Sequence, residues 1–293
     1  MERSAPVDGF SLAYERHLGD AQAAPVMLLH GWPGDREDWR EVVPRLLEDG
    51  AAEVIVPDLR GFGASDKRAG EPAEAYAGAG QAASVLGLLR ELGLPAAVIA
   101  AYDIGSRIAQ QMARVAPAAV RALVIAPPLP GAGSRVLSEG AVREFWYQSF
   151  HRLQLAERLL DGRPDAVRAY LEHFWQHWSG PGYTPDPAQL DRLAAAYGTS
   201  GAFTASIGWC RAGSGTVARS LAEQTPAPED RIAVPTTVLW PGHDPLFPRD
   251  WSDRIEAFFS AATVKSLPEA GHFTPLVAPA EFAGAILAAL QDG

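Results

Sequence analysis

Short apolar runs alternate with helix-like stretches in the first 128 residues, and this alternation restricts the fold more than any other feature of the sequence. The runs are too short for helices and lack alternating polar residues, as is typical of strands buried on both faces. They cover residues 25–29, 53–56, 96–100 and 122–125. Between them, residues 38–47 and 83–92 repeat apolar side chains at helical spacing. The pattern predicts an α/β fold, a mostly parallel central sheet with helices on both faces.

The strand pattern stops after the proline-rich residues 127–131 and returns only after residues 224–228. Strands are then predicted at 234–240 and 262–267, followed by a closing helix at 279–288. The sequence therefore predicts one α/β core in two parts, with a helical lid inserted late in the sheet. The first core part covers residues 1–129, the lid 130–226 and the second core part 227–293. Lids in this position cover the ligand site at the strand ends.

Composition excludes several classes of function. The chain has 25 Lys and Arg against 35 Asp and Glu, a formal net charge of −10, which disfavours binding to nucleic acid or an anionic membrane. Cys210 is the only cysteine, so an internal disulfide and a multi-cysteine metal site are excluded. The start of the chain lacks the apolar segment of a secretory signal, and no apolar run is long enough to span a bilayer. We expect a cytoplasmic protein.

The end of the third apolar run carries the first candidate for chemistry. Residues 101–106 read Ala-Tyr-Asp-Ile-Gly-Ser and lead directly into a helical stretch. Small residues two positions before and two after Asp103 are typical of a nucleophile elbow, in which a sharp strand-to-helix turn presents one side chain above the sheet. A plain helix cap would not need small residues at both positions. The pattern favours Asp103 as a nucleophile.

Three other segments complete the candidate site. The sequence His-Gly-Trp-Pro at residues 30–33 follows the first apolar run, where Trp32 and Ile104 would supply the backbone N–H groups of an oxyanion hole. Asp244 and His272 follow the last two predicted strands, in the chain order expected of an acid and a base that act with such a nucleophile. Their nearest competitors, His243 and Glu269, are interpreted as rim residues.

The elbow, the His-Gly-Trp-Pro segment and the late Asp and His make nearly the whole chain resemble an α/β-hydrolase of the epoxide hydrolase and dehalogenase branch. Residues 58–65 match a structural stretch of that branch. Residues 144–151 and 170–178 resemble the lid of bacterial epoxide hydrolases, in which two tyrosines protonate the opening ring. Tyr147 matches the first. Cys210 stands where the second is expected, so one phenol would be sufficient or Tyr183 or Tyr197 would replace it.

The same resemblance bears on dehalogenation. Ile104 occupies the position where fluoroacetate dehalogenases carry a carboxylate-binding arginine and haloalkane dehalogenases a halide-binding tryptophan, and its side chain can do neither job. Arg107 matches a second arginine of the fluoroacetate enzymes, although a surface arginine would look the same.

His173 and His177 share a helix face, but Phe174 stands where a zinc-binding metalloprotease motif needs glutamate.

These observations predict a hydrolase that opens a small, apolar epoxide to a vicinal diol. The reaction would pass through an ester on Asp103, hydrolysed by water that His272 activates while Asp244 orients the imidazole and Tyr147 donates a proton. The alternatives are a haloacetate or haloalkane dehalogenase with the same residues, and a non-catalytic receptor. No cofactor or metal is required, and a homodimer is considered. The predicted pocket residues are Trp146, Phe150, Trp175, Trp178, Trp209 and Cys210.

Overall fold

The computed structural model describes residues 1–19 and 23–291, so residues 20–22 and the last two residues of the predicted second core part, 292 and 293, lie outside the described ranges. One sheet of eight strands forms the centre of the molecule. The strands are β1 Glu2–Arg3, β2 Ala13–Leu18, β3 Val26–Leu29, β4 Glu53–Pro57, β5 Ala97–Ala101, β6 Val120–Ile125, β7 Thr236–Pro241 and β8 Ala262–Leu267.

The sheet is mostly parallel, which confirms the predicted fold class. The strand order is β1-β2-β4-β3-β5-β6-β7-β8; β1 and β2 pair antiparallel, as do β2 and β4, and the other neighbours pair parallel. The six strands predicted from apolar runs are present, with bounds shifted by at most two residues. Strands β1 and β2 were not predicted, because β1 has only two residues and three consecutive polar residues, Glu15, Arg16 and His17, interrupt the apolar residues of β2.

Helices cover both faces of the sheet and fill the segment between β6 and β7. The α-helices of the described ranges are α1 Val43–Glu48, α2 Pro72–Ala75, α3 Gly78–Glu91, α4 Asp103–Val115, α5 Glu139–Glu144, α6 Trp146–His151, α7 Gln154–Leu160, α8 Pro164–Trp178, α9 Pro187–Tyr197, α10 Ala202–Ser206, α11 Gly208–Arg211, α12 Thr216–Ala222, α13 Thr274–Val277 and α14 Pro279–Gln291. Short 3₁₀ helices occupy Arg36–Trp39, Pro117–Ala119, Gly133–Leu137, Pro228–Asp230 and Arg249–Ala257. Within the described ranges, every helix is too short or too polar to cross a membrane.

The single helix predicted at residues 38–47 is wrong in detail. A 3₁₀ helix ends at Trp39, and α1 begins only at Val43. Trp39 is fully buried and packs edge-on against Phe282 of α14, at 5.0 Å between ring centroids. Trp39 at the end of the 3₁₀ helix thus makes a tertiary contact that helical spacing along the sequence does not report.

Helices α5–α12 all fall inside the predicted lid range 130–226, and the lid is fastened to the loop after β3. The indole Nε1–H of Trp175 donates to the carbonyl of Pro33 at 2.9 Å, and the Tyr197 hydroxyl donates to the carbonyl of Gly34 at 2.7 Å. The Trp175 ring also stacks on Phe273, with centroids 3.8 Å apart. One apolar cluster runs without interruption from the sheet into the lid, so lid and core share a hydrophobic core.

The start of α4 lies so close to the end of β3 that only glycine fits at two positions. A Cβ on Gly105 would lie 2.5 Å from the carbonyl oxygen of Leu29 and 2.6 Å from that of His30. A Cβ on Gly31 would lie 2.5 Å from the Cβ of Asp103. Because the contacting atoms include rigid backbone, a side chain at Gly105 would force the helix away from the sheet.

We therefore expect Gly105→Ala to lower the free energy of unfolding by about 1–3 kcal/mol, the usual cost of overpacking. Gly284→Ala is the matched control, because Gly284 lies in α14 and a Cβ added there would meet nothing within 4 Å. That substitution should be neutral or stabilise by roughly 0.5–1 kcal/mol. Urea unfolding of both variants is the measurement. Equal effects in the two variants would contradict the tight contact at the elbow.

Candidate active site

Asp103 lies at the tip of a strained turn between β5 and α4. Its φ of 49° is in the left-handed region, which non-glycine residues rarely adopt. The turn is held by the Asp103 backbone N–H, which donates to the carbonyl of Pro127 at 3.0 Å. Asp103 is 7% exposed, and its Oδ1 accepts a hydrogen bond of 2.7 Å from the backbone N–H of Trp32. The strained turn and these hydrogen bonds therefore fix the orientation of the nearly buried Asp103 carboxylate.

The structure brings together the three polar residues that the sequence analysis selected. Nε2 of His272 lies 3.2 Å from Oδ2 of Asp103, and Nδ1 of His272 lies 2.9 Å from Oδ2 of Asp244. The other oxygen of Asp244 accepts the backbone N–H of Leu246 at 2.8 Å. The backbone N–H of His272 donates to the carbonyl of Trp178 at 2.7 Å, so the lid also helps to fix the imidazole.

The charge state of His272 is set by its two carboxylate neighbours. Burial alone disfavours the imidazolium, but the negative charges of Asp244 and Asp103 and their hydrogen bonds outweigh burial and raise the pKa of His272 to about 10. The imidazolium then donates from both ring nitrogens, one to each carboxylate. Loss of either negative charge would lower the pKa of His272 again.

Trp32 and Ile104, which the sequence predicted to form an oxyanion hole, both lie beside Asp103 at the same cavity. The N–H of Trp32 already binds Asp103 Oδ1 at 2.7 Å. The N–H of Ile104 belongs to the first turn of α4, where amides have no intrahelical acceptor. Both residues line the cavity that opens on Asp103. Negative charge on an Asp103 oxygen is therefore met by fixed dipoles rather than by water.

Tyr147 faces Asp103 from the lid. It is 6% exposed, and its ring stacks on the Trp32 ring with centroids 5.5 Å apart and planes 4° from parallel. Burial, and next to it the charge of Asp103, raises the pKa of Tyr147 well above its usual value of 10.0. The phenol therefore stays protonated at neutral pH.

Gln148 orients this phenol, and the sequence analysis did not identify it. Its side-chain Nε2 donates to the Tyr147 hydroxyl at 3.1 Å. Its Oε1 accepts the backbone N–H of Val217 at 3.0 Å, which fixes which end of the amide faces the tyrosine. Since Gln148 donates to the phenol oxygen, the phenol hydrogen is left for another acceptor. Adjacency to Tyr147 was the only signal in the sequence.

The cavity above Asp103 is narrow, with a volume of about 20 Å³. Its side-chain lining includes Tyr147, Gln148 and His151 of the lid, together with the predicted pocket residues Trp209 and Cys210. Burial raises the pKa of the Cys210 thiol to about 12, with a smaller contribution from the charge of Asp103. The thiol is therefore neutral at pH 7 and only a weak hydrogen-bond donor.

Four predicted pocket residues, Trp146, Phe150, Trp175 and Trp178, are wrong as cavity lining. Trp146 is 42% exposed, because a turn of about 100° per residue on α6 points it away from its neighbour Tyr147. Phe150 is half-buried against the lid core. Trp175 and Trp178 fill the contact between lid and core, where Trp178 lies edge-on to His272 at 5.2 Å.

The remaining candidates lie away from the reacting atoms. His243 and Glu269 are exposed, as expected of rim residues. Tyr197 donates to Gly34, and neither Tyr197 nor Tyr183 lines the cavity, so neither replaces the missing second phenol. His151 does line it, and the sequence analysis missed this. Burial lowers the pKa of His151 to about 3, and its Nε2 lies 2.9 Å from the Tyr170 hydroxyl.

The chain is similar to curated proteins of several named activities, among them dehalogenases and epoxide hydrolases. The chain is 31% identical over 175 residues to a haloalkane dehalogenase of Bradyrhizobium diazoefficiens, covering 59% of this chain and 49% of that protein. It is 26% identical over 302 residues to epoxide hydrolase A of Mycobacterium tuberculosis, covering 92% and 91%. The alignments with the first curated relatives span about half of those proteins' lengths.

Solved structures share the fold over nearly the whole chain. Epoxide hydrolase A of Mycobacterium thermoresistibile superimposes with a TM-score of 0.77 at 24% identity, covering 99% of this chain and 98% of that one. The family model for the alpha/beta hydrolase fold matches residues 24–279, most of the 293 residues. The elbow, the sheet order and this match agree, and the chain belongs to the alpha/beta hydrolase fold family.

Proposed function

We propose that this protein is an epoxide hydrolase that opens a small epoxide to a vicinal diol through a covalent ester on Asp103. The observation that carries the proposal is the pairing of a buried carboxylate nucleophile with a protonated phenol, Tyr147, on the opposite wall of one cavity. A carboxylate suits attack on a saturated carbon that bears a leaving oxygen. A phenol supplies the proton that this oxygen needs. Relatives named as epoxide hydrolases support the proposal.

In the first step, an oxygen of Asp103 bonds to one epoxide carbon, and the bond from that carbon to the ring oxygen breaks. The leaving oxygen takes the proton of Tyr147, whose phenol oxygen is held by Gln148 at 3.1 Å. The products of this step are a hydroxyalkyl ester and a phenolate, which regains its proton before the next turnover. The stack on Trp32 keeps the phenol over the reacting carboxylate.

In the second step, His272 removes a proton from water, which attacks the ester carbonyl carbon of Asp103. The N–H groups of Trp32 and Ile104 stabilise the oxyanion that forms. Its collapse breaks the bond between the carbonyl carbon and the substrate oxygen, and this oxygen takes the proton from the imidazolium and leaves as the second hydroxyl of the diol. The carboxyl proton of Asp103 then passes to His272, which restores the carboxylate and the imidazolium. Alkylation itself prepares the base: the ester carries no charge, so one of the two charges that keep His272 protonated disappears. The pKa of His272 therefore falls after alkylation, and the proton that His272 loses restores the phenol of Tyr147. The neutral imidazole can then act as the base, and Asp244 stabilises the imidazolium that forms again.

Dehalogenation is the second candidate, and one observation favours it. The indole Nε1–H of Trp32 is buried and has no hydrogen-bond acceptor within residues 1–19 and 23–291. Trp32 lines the cavity, so this donor is available to a departing halide. A named haloalkane dehalogenase is among the relatives. The phenol and its orienting amide have no task in that reaction, because a halide leaves without a proton.

The covalent route is tested by mass. Wild-type protein given one turnover of an epoxide in heavy-oxygen water should place label in the Asp103 carboxylate and not in the first diol. His272→Gln should accumulate the ester as a gain of the substrate mass, and Asp103→Asn should show no gain. Label in the first diol would contradict the ester.

Halide release without epoxide turnover would favour the dehalogenase, and binding without turnover of either class would favour a receptor.

The pH dependence of stability follows from His272. Because its folded-state pKa of about 10 lies above its ordinary 6.5, its contribution is fully present below pH 6.5 and is lost as pH rises through 10. The difference in unfolding free energy between wild type and His272→Gln should therefore shrink between these limits, measured by urea unfolding. Titration of the His272 ring by NMR should give a pKa lower by at least about one unit in Asp103→Asn. A difference independent of pH would contradict the charged pair.

The proton donor is tested by removing one hydroxyl. Tyr147→Phe should lower kcat/KM for epoxides by about 10²-fold or more, because the leaving oxygen would depart as an alkoxide. Tyr183→Phe is the matched control, since Tyr183 is half-buried in the lid and does not line the cavity; its rate should not change. Diol formation is the measurement. Equal rates in Tyr147→Phe and wild type would remove the phenol from the mechanism.

A further inference from the structure

A second, larger cavity adjoins the one above Asp103. Its volume is about 300 Å³, against about 20 Å³ for the cavity at the nucleophile. Arg107 of α4 and Trp209 of α11 line both cavities and therefore form their boundary. Ligand sites for small molecules usually measure about 300–1,000 Å³. The inner cavity has room for little more than a reacting ring, so the rest of a substrate must occupy the outer one.

The outer cavity is cationic in a protein of net charge −10. Three arginines line it, Arg107 and Arg114 on α4 and Arg219 on α12, against one acid, Glu223, which leaves an excess of 3 − 1 = 2 positive charges. Arg107 and Arg114 are seven residues apart, two turns of α4, and so lie on one face of the helix. Lid and core thus each present arginine to the same space.

Glu223 neutralises only part of this charge. Its Oε1 lies 3.6 Å from the guanidinium of Arg107, and its Oε2 accepts the backbone N–H of Gly131 at 2.7 Å. Arg114 and Arg219 form no ion pair with a carboxylate among the residues that the structure describes. The only side-chain hydrogen bond of Arg114 in those ranges is a long one, 3.4 Å, to the carbonyl of Asp230. Two guanidinium groups are therefore left to a ligand.

Arg107, at the boundary of the two cavities, is largely buried. Its side chain is only 10% exposed, and its Nε–H has no acceptor in the described part of the chain. Burial, with the nearby positive charges of Arg219 and Arg114, lowers the pKa of Arg107 to about 10 despite Glu223. An anion in the outer cavity would be favoured by all three guanidinium groups.

We infer that the outer cavity binds a carboxylate at the far end of the substrate, through Arg114 and Arg219, while the epoxide at the other end reaches Asp103 past Arg107 and Trp209. The substrate class is then an epoxide of an aliphatic carboxylic acid. This inference rests on the proposed function and goes beyond it, because the sequence predicted only a small, apolar epoxide. The apolar part of the molecule lies against Trp209 at the boundary.

The test compares charged and neutral substrates of the same shape. A series of straight-chain terminal epoxides of increasing length, each as the carboxylate and as the primary amide, is hydrolysed at constant ionic strength. At one chain length, wild-type kcat/KM should be about tenfold or more higher for the carboxylate, the effect expected of hydrogen bonds to charged groups. Equal rates for carboxylate and amide at every length would overturn the inference.

Variants assign the preference to the cavity. In the double variant Arg114→Gln, Arg219→Gln, the ratio of kcat/KM for the carboxylate to kcat/KM for the amide should fall from about ten or more to about one. Both arginines are exposed, so the variant should fold, and circular dichroism checks this. Arg90→Gln is the matched control, an exposed arginine on α3 that does not line the cavity. A preference that survives in the double variant would also overturn the inference.

A binding experiment tests the anion site independently of the proposed reaction. Saturated alkanoates and their amides, which cannot react, are titrated into wild-type and double-variant protein by calorimetry. If no epoxide is hydrolysed but alkanoates bind through Arg114 and Arg219, the proposed reaction fails and the anion site stands. If neutral epoxides are hydrolysed through Asp103 but alkanoates bind no better than amides, the reaction stands and the anion site fails.

Discussion

One imidazole shared between two buried carboxylates is the interaction on which the site depends. His272 has no exposed ring surface, and its nitrogens lie 3.2 Å from Asp103 and 2.9 Å from Asp244. Burying these charges separately would be costly, so each of the three groups requires the other two. The strained elbow, the turn after β7 and the loop after β8 each hold one member. Displacing any one of these segments would leave a charge buried without its partner.

The loop after β3 joins this charged set to the lid. The backbone of Trp32 binds Asp103, and its ring stacks on Tyr147, so a single residue touches both the nucleophile and the phenol. The next two residues, Pro33 and Gly34, accept hydrogen bonds from lid side chains. The lid is thus held against the core by the same segment whose backbone N–H binds Asp103, and this fixes the position of the Tyr147 phenol relative to the Asp103 carboxylate.

The cleft is divided into two cavities, and the larger one is not the apolar binding site that the sequence predicted. A lid rich in aromatic side chains suggested an apolar binding site, but most of those rings pack against one another and against the core. The space they leave beside Asp103 is small, and the larger space beyond Arg107 is lined by guanidinium groups. In the proposed function, the reaction takes place in the inner cavity and the outer cavity selects the substrate.

Local patterns in the sequence predicted much of this molecule. Buried parallel strands require continuous apolar runs, and a sharp elbow requires small residues on either side of Asp103, so six strands, the fold class and the candidate residues Asp103, Asp244 and His272 could be selected without a structure. The polar strand β2 was missed because its pairing with β4, not its composition, makes it a strand. The spacing of aromatic residues in a lid helix also does not show which rings face the cavity.

The sequence by itself determined the order of the secondary structure and the identity of the polar residues at the strand ends, because both follow from local rules of burial and turn geometry. Only the tertiary structure decided which aromatic side chains face the cavity, that Gln148 orients Tyr147, and that arginines on α4 and α12 meet in one space. These features depend on contacts between segments far apart in the chain, such as the 3.0 Å bond from Val217 to Gln148. Such contacts exist only once the segments that carry them have packed together.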